Sequence, residues 1–323
     1  MGSTWTKHAG GPLALTASVI VCAHTEERWP VLAEAVEAVA AQSPPPLEVV
    51  LVIDHNEGLL QRARAEWAAP VRVIANEEGR GLSGARNTGV RHARGTIVVF
   101  LDDDAVPEPG WLLGHTAAYA SPRVMGAGGT VTPRWAAPRP AWIPDEFLWV
   151  MGCSYRGLPS GEAVVRNPIG ANMSFRREVV TAVGGFADDL GRVGRTPLGC
   201  EETDLSIRAY SAFPGRAVVM VPGARVRHLV PEGRTTWRYF RSRCWSEGLS
   251  KAVMTGRVGA GDGLASERTY VTRTLPSGVL RGFADVLRGR PEGLRRAGAI
   301  IAGLGVTTAG YARGKVARSR RTG

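Results

Sequence analysis

Residues Val98–Leu112 read VVFLDDDAVPEPGWL, an apolar, strand-like run that ends in three consecutive aspartates and continues into a proline-rich loop. Like charges repel one another, so a strand end that carries Asp102, Asp103 and Asp104 predicts that a cation or hydrogen-bond donors neutralise them. A hard divalent cation together with a phosphate is a natural partner for such carboxylates. The stretch therefore predicts a ligand site at the carboxyl end of a strand.

The composition is that of a soluble α/β protein with one large domain and appendages: 323 residues, of which 44% are hydrophobic and 21% charged. The formal net charge is +11, and from Arg273 onward eleven Lys or Arg residues stand against Asp285 and Glu292. A basic tail of this kind suits anionic lipid as well as nucleic acid. The rest of the chain lacks the interleaved aromatic and basic residues of an RNA-binding sheet, so we expect no nucleic-acid partner.

The cysteines are widely separated and form no CxxC pair, which indicates neither a zinc site nor a disulfide framework and fits a reducing compartment; they are Cys22, Cys153, Cys200 and Cys244. Residues 1–16 lack the apolar core and cleavage site of a signal peptide, and we expect them to form a flexible leader. No run approaches the roughly 20 apolar residues of a membrane span. We therefore expect a cytoplasmic location.

Strand-like and helix-like segments alternate through the first third of the chain. The predicted strands are SVIVC at 18–22, LEVVLVID at 47–54, VRVIAN at 71–76 and TIVVFLDDD at 96–104, with helices opening at Pro30 and spanning 59–67 and 83–93. Strands that are near-continuous apolar runs predict a parallel sheet covered by helices on both faces. Ligands bind beyond the carboxyl ends of such strands, where Asp54, Asn76 and the three aspartates fall.

The second half is less regular. The prolines between Pro133 and Pro144 predict a loop that covers a site, and from about Thr235 the chain is mainly helical. The segment 297–312 is uncharged, contains four glycines and has basic clusters on both sides. It is too short and too glycine-rich for a membrane span, and its composition suits a segment that lies at a membrane surface.

Gly79, Gly81 and Gly84 spell GxGxxG between a strand and a helix, as in a dinucleotide-binding fold. Taken alone the motif is weak, and it follows two earlier βα units instead of opening the fold. An NAD(P)-binding oxidoreductase is therefore an alternative hypothesis. In a second interpretation the glycines of GLSGARNTGV, residues 81–90, let the backbone come close to a ligand, and Arg86 offers a planar donor fork to a phosphate or base; the alternative is a helix start with a solvated arginine.

Two acidic groups predict metal and proton chemistry. A divalent ion held by Asp104, with Asp102 steadying the ion or a ribose, would bridge a diphosphate; the alternative is a solvated, helix-capping cluster. In GCEETDLSIR, residues 199–208, Glu202 is the candidate general base, whose pKa burial and acidic neighbours raise. The alternative there is a helix cap with an Asp204–Arg208 ion pair. We group Glu201 and Asp204 with Glu202 as catalytic candidates.

Further candidates lie downstream. His228, in ARVRHLVPEG, is either a metal or phosphate ligand or a structural histidine. Arg241, Arg243 and Trp245, in YFRSRCWSEG, either clamp a diphosphate or acceptor or form a solvated helix face.

Together, the ordered segments SVIVCAHTEERW, VVLVID, GLSGARNTGV, VVFLDDDA, NPIGANMSF and CEETDLSIR resemble the family 2 inverting glycosyltransferases, which have the GT-A nucleotide-diphospho-sugar fold. The resemblance covers residues 17–240 and implies a nucleotide-sugar-binding half at 17–130 and an acceptor half at 131–240, followed by a helical, basic, membrane-associated extension at 241–323. It implies site roles for the following residues: Ala23, Glu26, Asp54, Arg86, Asp102 and Asp103 for the donor; Asp102, Asp104 and His228 for the metal; Glu202 for the base; Gly170, Asn172 and Ser174 for the acceptor.

The CAHTEERW and VRHLV segments are similar to a subgroup that acts on lipid-linked sugars and surface polysaccharides. The resemblance implies a Mg²⁺- or Mn²⁺-dependent enzyme that transfers a sugar, with a UDP-sugar favoured as donor, to a polyprenyl-linked or glycan hydroxyl at the inner face of the cell membrane. The basic tail would contact the anionic membrane surface. A catalytically silent membrane scaffold is the second alternative.

Overall fold

A computed structural model describes residues 15–187, 199–263 and 268–322, with the backbone alone for 257–263 and 318–322. The strands are β1 (Ala17–Ala23), β2 (Glu48–Ile53), β3 (Val71–Ala75), β4 (Ile97–Asp102), β5 (Ala105–Pro107), β6 (Val124–Trp135), β7 (Ala163–Val165), β8 (Asn172–Arg176) and β9 (Ala217–Val230). The α-helices are α1 (Trp29–Ala40), α2 (Glu57–Glu66), α3 (Leu82–His92), α4 (Trp111–Ala118), α5 (Arg177–Ala182), α6 (Glu201–Ala212), α7 (Trp237–Gly263), α8 (Leu275–Leu287) and α9 (Glu292–Thr322). Short 3₁₀ segments span Glu26–Arg28, Asp145–Met151 and Glu232–Thr235, and a π-helical turn spans Tyr270–Thr274.

The described strands form one mixed sheet in the order β3-β2-β1-β4-β8-β6-β9-β5, with β7 pairing the other part of β9. The strands β3, β2, β1 and β4 run parallel, which confirms the predicted parallel βα units. Strand β8 is antiparallel to both β4 and β6, although it belongs to the second half of the chain. The predicted halves, which meet at residue 130, therefore share one sheet, and β6 crosses the boundary between them.

Helices cover both faces of the sheet, as predicted. Successive residues of β1 point to opposite faces, so Val19 and Val21 join the core under α1, α2 and α4, whereas Ile20 joins the core under α3, α5 and α6. Because both faces are buried, the central strands read as unbroken apolar runs. The carboxyl ends of β1, β2 and β4 are thereby left at one edge, where polar loops follow.

The predicted loop from Pro133 begins later than expected. Strand β6 continues to Trp135 and pairs with β9 throughout, with Pro133 opposite His228. Strand β8 pairs only with Gly126–Gly128 of β6, so beyond that point β6 has an unpaired edge. A proline is tolerated there because its missing N–H is not needed for a second ladder. The irregular loop is residues 136–144.

The C-terminal region is helical, as predicted, and α7 runs across residue 240 without a break. The segment 297–312 lies within α9 and packs on the protein along one face, whereas Ile301 on another face is exposed, so its place at a membrane surface stays a prediction. Ala297 and Ile300 are buried, and a Cβ at Gly303 would lie 2.5 Å from the Phe147 ring. The glycines therefore permit close helix packing. Within the described residues no helix is both long and apolar enough to cross a membrane.

Residues 1–14 of the expected leader lie outside the described residues, as do the side chains of the last basic residues of the tail. The four cysteines are free thiols, as expected from their spacing.

Candidate functional site

The three aspartates lie where β4 ends and turns into β5. Arg28 Nη1 donates to Asp103 Oδ1 at 2.6 Å and lies 3.2 Å from Asp104 Oδ2. Asp104 also faces His228 Nε2 at 3.0 Å and Arg234 Nη2 at 3.5 Å. These cationic groups offset the repulsion among the three aspartates, because buried carboxylates need opposite charges close by.

The sheet explains how residues so distant in sequence meet. Strand β1 lies beside β4 with Cys22 opposite Asp102, so the 3₁₀ turn that follows β1 carries Arg28 to the aspartates. Strand β9 is antiparallel to β5 with Ala105 opposite His228, and the Leu229 N–H donates to the Asp104 carbonyl at 2.8 Å. The turn after β9 then supplies Arg234.

The burial of these groups sets their protonation. Burial raises the pKa of Asp103 to about 7, against the opposing charge of Arg28. Burial would also raise the pKa of Asp104, but the charges of His228, Arg28 and Arg234 hold it well below its usual range. Burial would lower the pKa of His228, but the Asp104 carboxylate raises it to about 10. Asp104 and His228 therefore form an ion pair at neutral pH.

Asp102, Asp104 and His228 together fit a divalent metal. Each offers one ligand atom, and these atoms all lie within 4.8 Å of one another. Two carboxylates and an imidazole are ligands that Mn²⁺ and related ions accept. Because a ligating histidine must be neutral, the ion would displace the proton of His228. Asp103 is outside this group: its Oδ1 binds Arg28, and its buried Oδ2 has no hydrogen-bond partner among the described residues.

The second acidic group lies at the N-terminus of α6. Its N-cap, Cys200, has φ of 83°, a left-handed conformation that is uncommon for a residue other than glycine and directs the chain sharply into the helix. Burial, together with the neighbouring Glu201 charge, raises the pKa of Glu202 to about 8. Glu202 is partly exposed and forms no ion pair with a described residue.

Asp204 serves a different purpose. Its Oδ2 lies 2.7 Å from Arg208 Nη2, one helical turn further along α6, and the same guanidinium donates to the Gly185 carbonyl at 2.8 Å. The Asp204–Arg208 ion pair is therefore present, as in the alternative interpretation of this segment. Asp204 therefore ties α6 to the turn after α5, and its grouping with the catalytic candidates is not supported by its position.

Arg86 joins the two acidic groups. Its side chain is 2% exposed, and its guanidinium donates to Glu201 Oε1 at 3.0 Å, Asp102 Oδ1 at 3.2 Å and the Gly170 carbonyl at 3.0 Å. The sequence predicts a donor contact for Arg86. In this structure the guanidinium is instead committed to protein oxygens, so it positions both acids and has no open face for a phosphate.

The remaining donor candidates gather at the carboxyl ends of β1 and β2. Ala23 is buried, and its carbonyl accepts the Asp54 N–H at 2.8 Å. Asp54 accepts from Asn76 Nδ2 at 2.7 Å and from the Gly81 N–H at 3.0 Å. Glu26 is half-exposed, with Oε2 3.8 Å from Arg62 Nη1. These residues form one rim of the site, as the parallel strands predict.

The GxGxxG glycines shape this loop. A Cβ at Gly84 would lie 2.2 Å from the Gly79 carbonyl oxygen, so Gly84 permits a close backbone contact. Gly81 has φ of 136°, and its N–H at the start of α3 is already bonded to Asp54. An amide that a dinucleotide would need is thus occupied, which argues against the oxidoreductase alternative.

Two predicted acceptor residues lie inside the sheet and cannot contact an acceptor in this structure. Asn172 Nδ2 donates to the Thr130 and Ala224 carbonyls, and its Oδ1 accepts from Trp111 Nε1 at 2.8 Å. Ser174 is equally buried, and its Oγ accepts from Tyr119 Oη at 2.8 Å. Their hydrogen bonds hold β8 within the fold. Gly170, by contrast, lies at the site through its bond to Arg86.

The last acceptor candidates separate on α7. Arg241 and Trp245 are exposed and line a surface groove of about 530 Å³, together with Trp237, Arg238, Ser242, Val306 and Ala309. Arg243 is buried on another side of the helix. The helix periodicity explains the difference: positions 241 and 245 are one turn apart and share a face, whereas 243 does not. The prediction that all three act together is therefore wrong for Arg243.

Sequence reasoning missed Arg28 and Arg234 as partners of the aspartates. For Arg28 a signal existed, because the residues that follow one parallel strand lie beside those that follow its neighbour. For Arg234 no comparable signal existed, since its approach depends on the antiparallel pairing of β5 with β9.

The comparisons with known proteins agree with this geometry. The family model described as Glycosyl transferase family 2 matches residues 18–184. A glucosyl-dolichyl phosphate glucuronosyltransferase of Haloferax volcanii is 37% identical over 243 residues, which cover 74% of this chain and 77% of the relative. Polypeptide N-acetylgalactosaminyltransferase 15 of Mus musculus is 29% identical over 235 residues, 66% of this chain but only 35% of the relative.

Two solved structures share the fold at low sequence identity. A mannosyltransferase of Pyrobaculum calidifontis in complex with GDP-Man and Mn²⁺ has a TM-score of 0.55 and 19% identity, covering 90% of this chain and 86% of that one. GalNAc-T7 with UDP, GalNAc and Mn²⁺ has a TM-score of 0.54 and 18% identity, covering 86% of this chain and 58% of that one.

Proposed function

Because the chain belongs to glycosyl transferase family 2 and has the GT-A fold, we propose that it moves a sugar from a nucleoside-diphosphate donor to a hydroxyl of a lipid-linked acceptor, with inversion at the anomeric carbon. A UDP-sugar is the favoured donor and a polyprenyl- or dolichyl-phosphate-linked sugar the favoured acceptor. The glucuronosyltransferase relative, whose name includes a dolichyl phosphate, supports this acceptor class.

One observation carries the proposal: two acidic groups lie at one edge of the sheet, tied together by Arg86 yet suited to different tasks. Asp102 and Asp104, with His228, suit a cation. Glu202 forms no ion pair with a described residue, and burial together with the Glu201 charge raises its pKa, which suits a proton acceptor. Sugar transfer from a nucleotide needs both functions, because the leaving diphosphate gains charge while the acceptor hydroxyl loses a proton.

Each group then has a role in the proposed reaction. A divalent cation held by Asp102, Asp104 and His228 would neutralise charge on the departing diphosphate. Ala23, Glu26 and Asp54 form the rim where the nucleoside would lie. Glu202 would take the proton from the acceptor hydroxyl.

Inversion follows from the same arrangement. A single displacement needs one base and no protein nucleophile, and Glu202 supplies the base. Glu201 is buried against Arg86. Its negative charge would raise the pKa of Glu202, and it would not itself take part in proton transfer.

The groove on α7 is the proposed place for the acceptor. It adjoins the site along the chain, because the turn that supplies Arg234 leads directly into Trp237 at the start of α7. Arg238 and Arg241 are exposed and form no ion pair with a described residue, so they are available for the acceptor's phosphate. The rings of Trp237 and Trp245 offer apolar area to an isoprenoid chain.

An enzyme with a lipid-linked acceptor would act at the inner face of the cell membrane, in the synthesis of a cell-envelope polysaccharide or glycolipid. We propose this location together with the function.

The test is sugar transfer by purified protein from UDP-glucuronic acid, UDP-glucose or GDP-mannose to a polyprenyl-phosphate-linked monosaccharide, with and without Mn²⁺. Glu202→Gln should lower turnover by about 10²–10⁴-fold while donor binding, measured by calorimetry, is retained. Glu66→Gln, which changes an exposed glutamate on α2, is the matched control. Turnover near the wild-type rate in a folded Glu202→Gln variant would show that the base is elsewhere.

Two further results separate the alternatives. A rise in melting temperature with NAD(P) in the absence of metal would favour the oxidoreductase. The absence of both donor hydrolysis and transfer, with every donor and metal, would favour the silent scaffold.

A further inference from the structure

Helix α8 carries an exposed apolar stripe on the side away from the protein. Leu280, Phe283 and Leu287 are 68%, 48% and 89% exposed, and Pro276, one turn earlier, is also exposed. Their spacing of four, three and four residues follows the helical period, so all four share one face of α8. Large apolar side chains arranged on one face at this exposure mark an interaction surface.

The opposite face of α8 holds the helix to the protein. Leu275, Gly278 and Gly282 are buried there, and a Cβ at Gly282 would lie 2.6 Å from the Gly293 carbonyl of α9. The close approach of the two helix backbones fixes α8 in place. The exposed stripe is therefore not needed to attach the helix and is available to a partner.

Positive charge surrounds the stripe at the turn between α8 and α9. Arg288, Arg290 and Arg295 are exposed, and Leu294 beside them is exposed as well. The acidic residue of α8, Asp285, forms an ion pair with Arg296, whose Nη2 lies 2.6 Å from Asp285 Oδ2. The surface thus combines apolar side chains with guanidinium groups, the combination found in helices that lie in the interface of an anionic bilayer.

A second copy of this chain is a poorer partner for the same face. Two copies joined through the stripe in a symmetric dimer would bring equivalent arginine clusters together, and like charges oppose such pairing. An anionic lipid surface instead complements the arginines and accepts the apolar side chains.

We propose that the α8 stripe, Pro276, Leu280, Phe283 and Leu287 with the flanking arginines, docks the protein on an anionic lipid bilayer. The functional role of this contact rests on the proposed function, because a lipid-linked acceptor would lie at a membrane. The inference assigns the membrane contact to α8, whereas the sequence pointed to the segment 297–312, one face of which packs on the protein.

The test is co-sedimentation of the full-length protein with vesicles of phosphatidylcholine alone or mixed with an equal amount of phosphatidylglycerol. Wild type should bind the mixed vesicles, and salt should weaken the binding. The triple variant Leu280→Ser, Phe283→Ser, Leu287→Ser should lower the partition coefficient at least about tenfold, because three side chains lose their contact with the acyl region. Leu113→Ser, at an exposed leucine of α4, is the matched control and should bind like wild type.

The double variant Arg288→Glu, Arg295→Glu tests the charge separately and should lose at least about tenfold in binding to the mixed vesicles. The proposal is overturned if the triple serine variant binds like wild type. It is also overturned if wild type binds no vesicles but forms a dimer in gel filtration that the serine substitutions abolish, since the stripe would then be an interface between copies.

Vesicle binding needs neither donor nor acceptor, so it stands apart from sugar transfer. Binding through the stripe without transfer to any acceptor would contradict the proposed function and leave the docking surface supported. Transfer to a short-chain, water-soluble acceptor without vesicle binding would contradict the docking surface alone.

Discussion

Replacement of Arg86 by methionine gives the sharpest stability test of the site. The substitution keeps a long unbranched side chain but removes the guanidinium, and with it the bonds to Glu201, Asp102 and the Gly170 carbonyl. Asp102 is 29% exposed and would regain water, whereas the Glu201 side chain is 7% exposed and its Oε2 already lacks a hydrogen-bond partner among the described residues. The cost therefore comes mainly from Glu201.

Loss of one partner from a buried ion pair typically costs about 3–5 kcal/mol. We expect Arg86→Met to lower the free energy of unfolding by this amount, which is a large part of the about 5–15 kcal/mol that stabilises most proteins. The double variant Arg86→Met, Glu201→Met removes the stranded carboxylate as well. It should be more stable than Arg86→Met alone, with a coupling energy of about 1–3 kcal/mol.

The assay is urea denaturation followed by circular dichroism, with linear extrapolation to water. Arg91→Met is the matched control on the same helix: Arg91 pairs with the exposed Glu77 at 3.0 Å, so its loss should cost no more than about 1 kcal/mol. The reasoning is refuted if Arg86→Met and Arg91→Met cost the same, or if the Arg86 and Glu201 substitutions prove additive.

Four further outcomes are expected. The rate of sugar transfer should rise with pH, reach half of its maximum near pH 8 and level off above that, because Glu202 must lose its proton to act as a base; a flat profile would remove it from that role. Since folded Glu202 keeps its proton to higher pH than the unfolded chain, wild type should lose stability relative to Glu202→Gln as pH rises from 4.5 to 8, measured by urea denaturation; a constant difference would contradict the raised pKa. His228→Ala should weaken Mn²⁺ binding at least about tenfold in calorimetry, and an unchanged dissociation constant would exclude this histidine as a ligand. Gly84→Ala should destabilise the protein by about 1–3 kcal/mol because its Cβ would meet backbone, whereas Gly79→Ala, with open space around it, should be neutral in the same melt.

The first four strands and their polar ends were predictable because their pattern is local. Each of these parallel strands is a mainly apolar run, and β1, β2 and β3 are each followed by a helix, so the positions of Asp54 and Asp102 at one edge follow from the sequence alone. Antiparallel β8 was not predictable in this way. It is five residues long and gains its place from hydrogen bonds to β4 and β6, which are distant in sequence.

Some of the site residues were predictable from local sequence, and others depend on contacts between distant parts of the chain. Glu202 and the three aspartates stand out because acidic clusters beside apolar runs are conspicuous in a sequence. The partners of Arg86 could not be predicted from the sequence. Glu201 lies 115 residues away, and a guanidinium suits a phosphate as well as a carboxylate. Asn172 and Ser174 carry polar groups that suit an acceptor, and only the three-dimensional structure shows that neighbouring strands and helices already satisfy them.

The position of β8 has a consequence for anyone who would isolate the nucleotide-binding half as a smaller unit. A fragment that ends at residue 130 keeps β4 and most of β6 but loses the strand between them, so both would present unsatisfied backbone groups along their facing edges. Bare edges recruit other chains, and such a fragment should aggregate during expression. Strand β9 likewise lies between β6 and β5, so truncation from the C-terminus has to stop beyond Val230 if the recombinant product is to stay monodisperse.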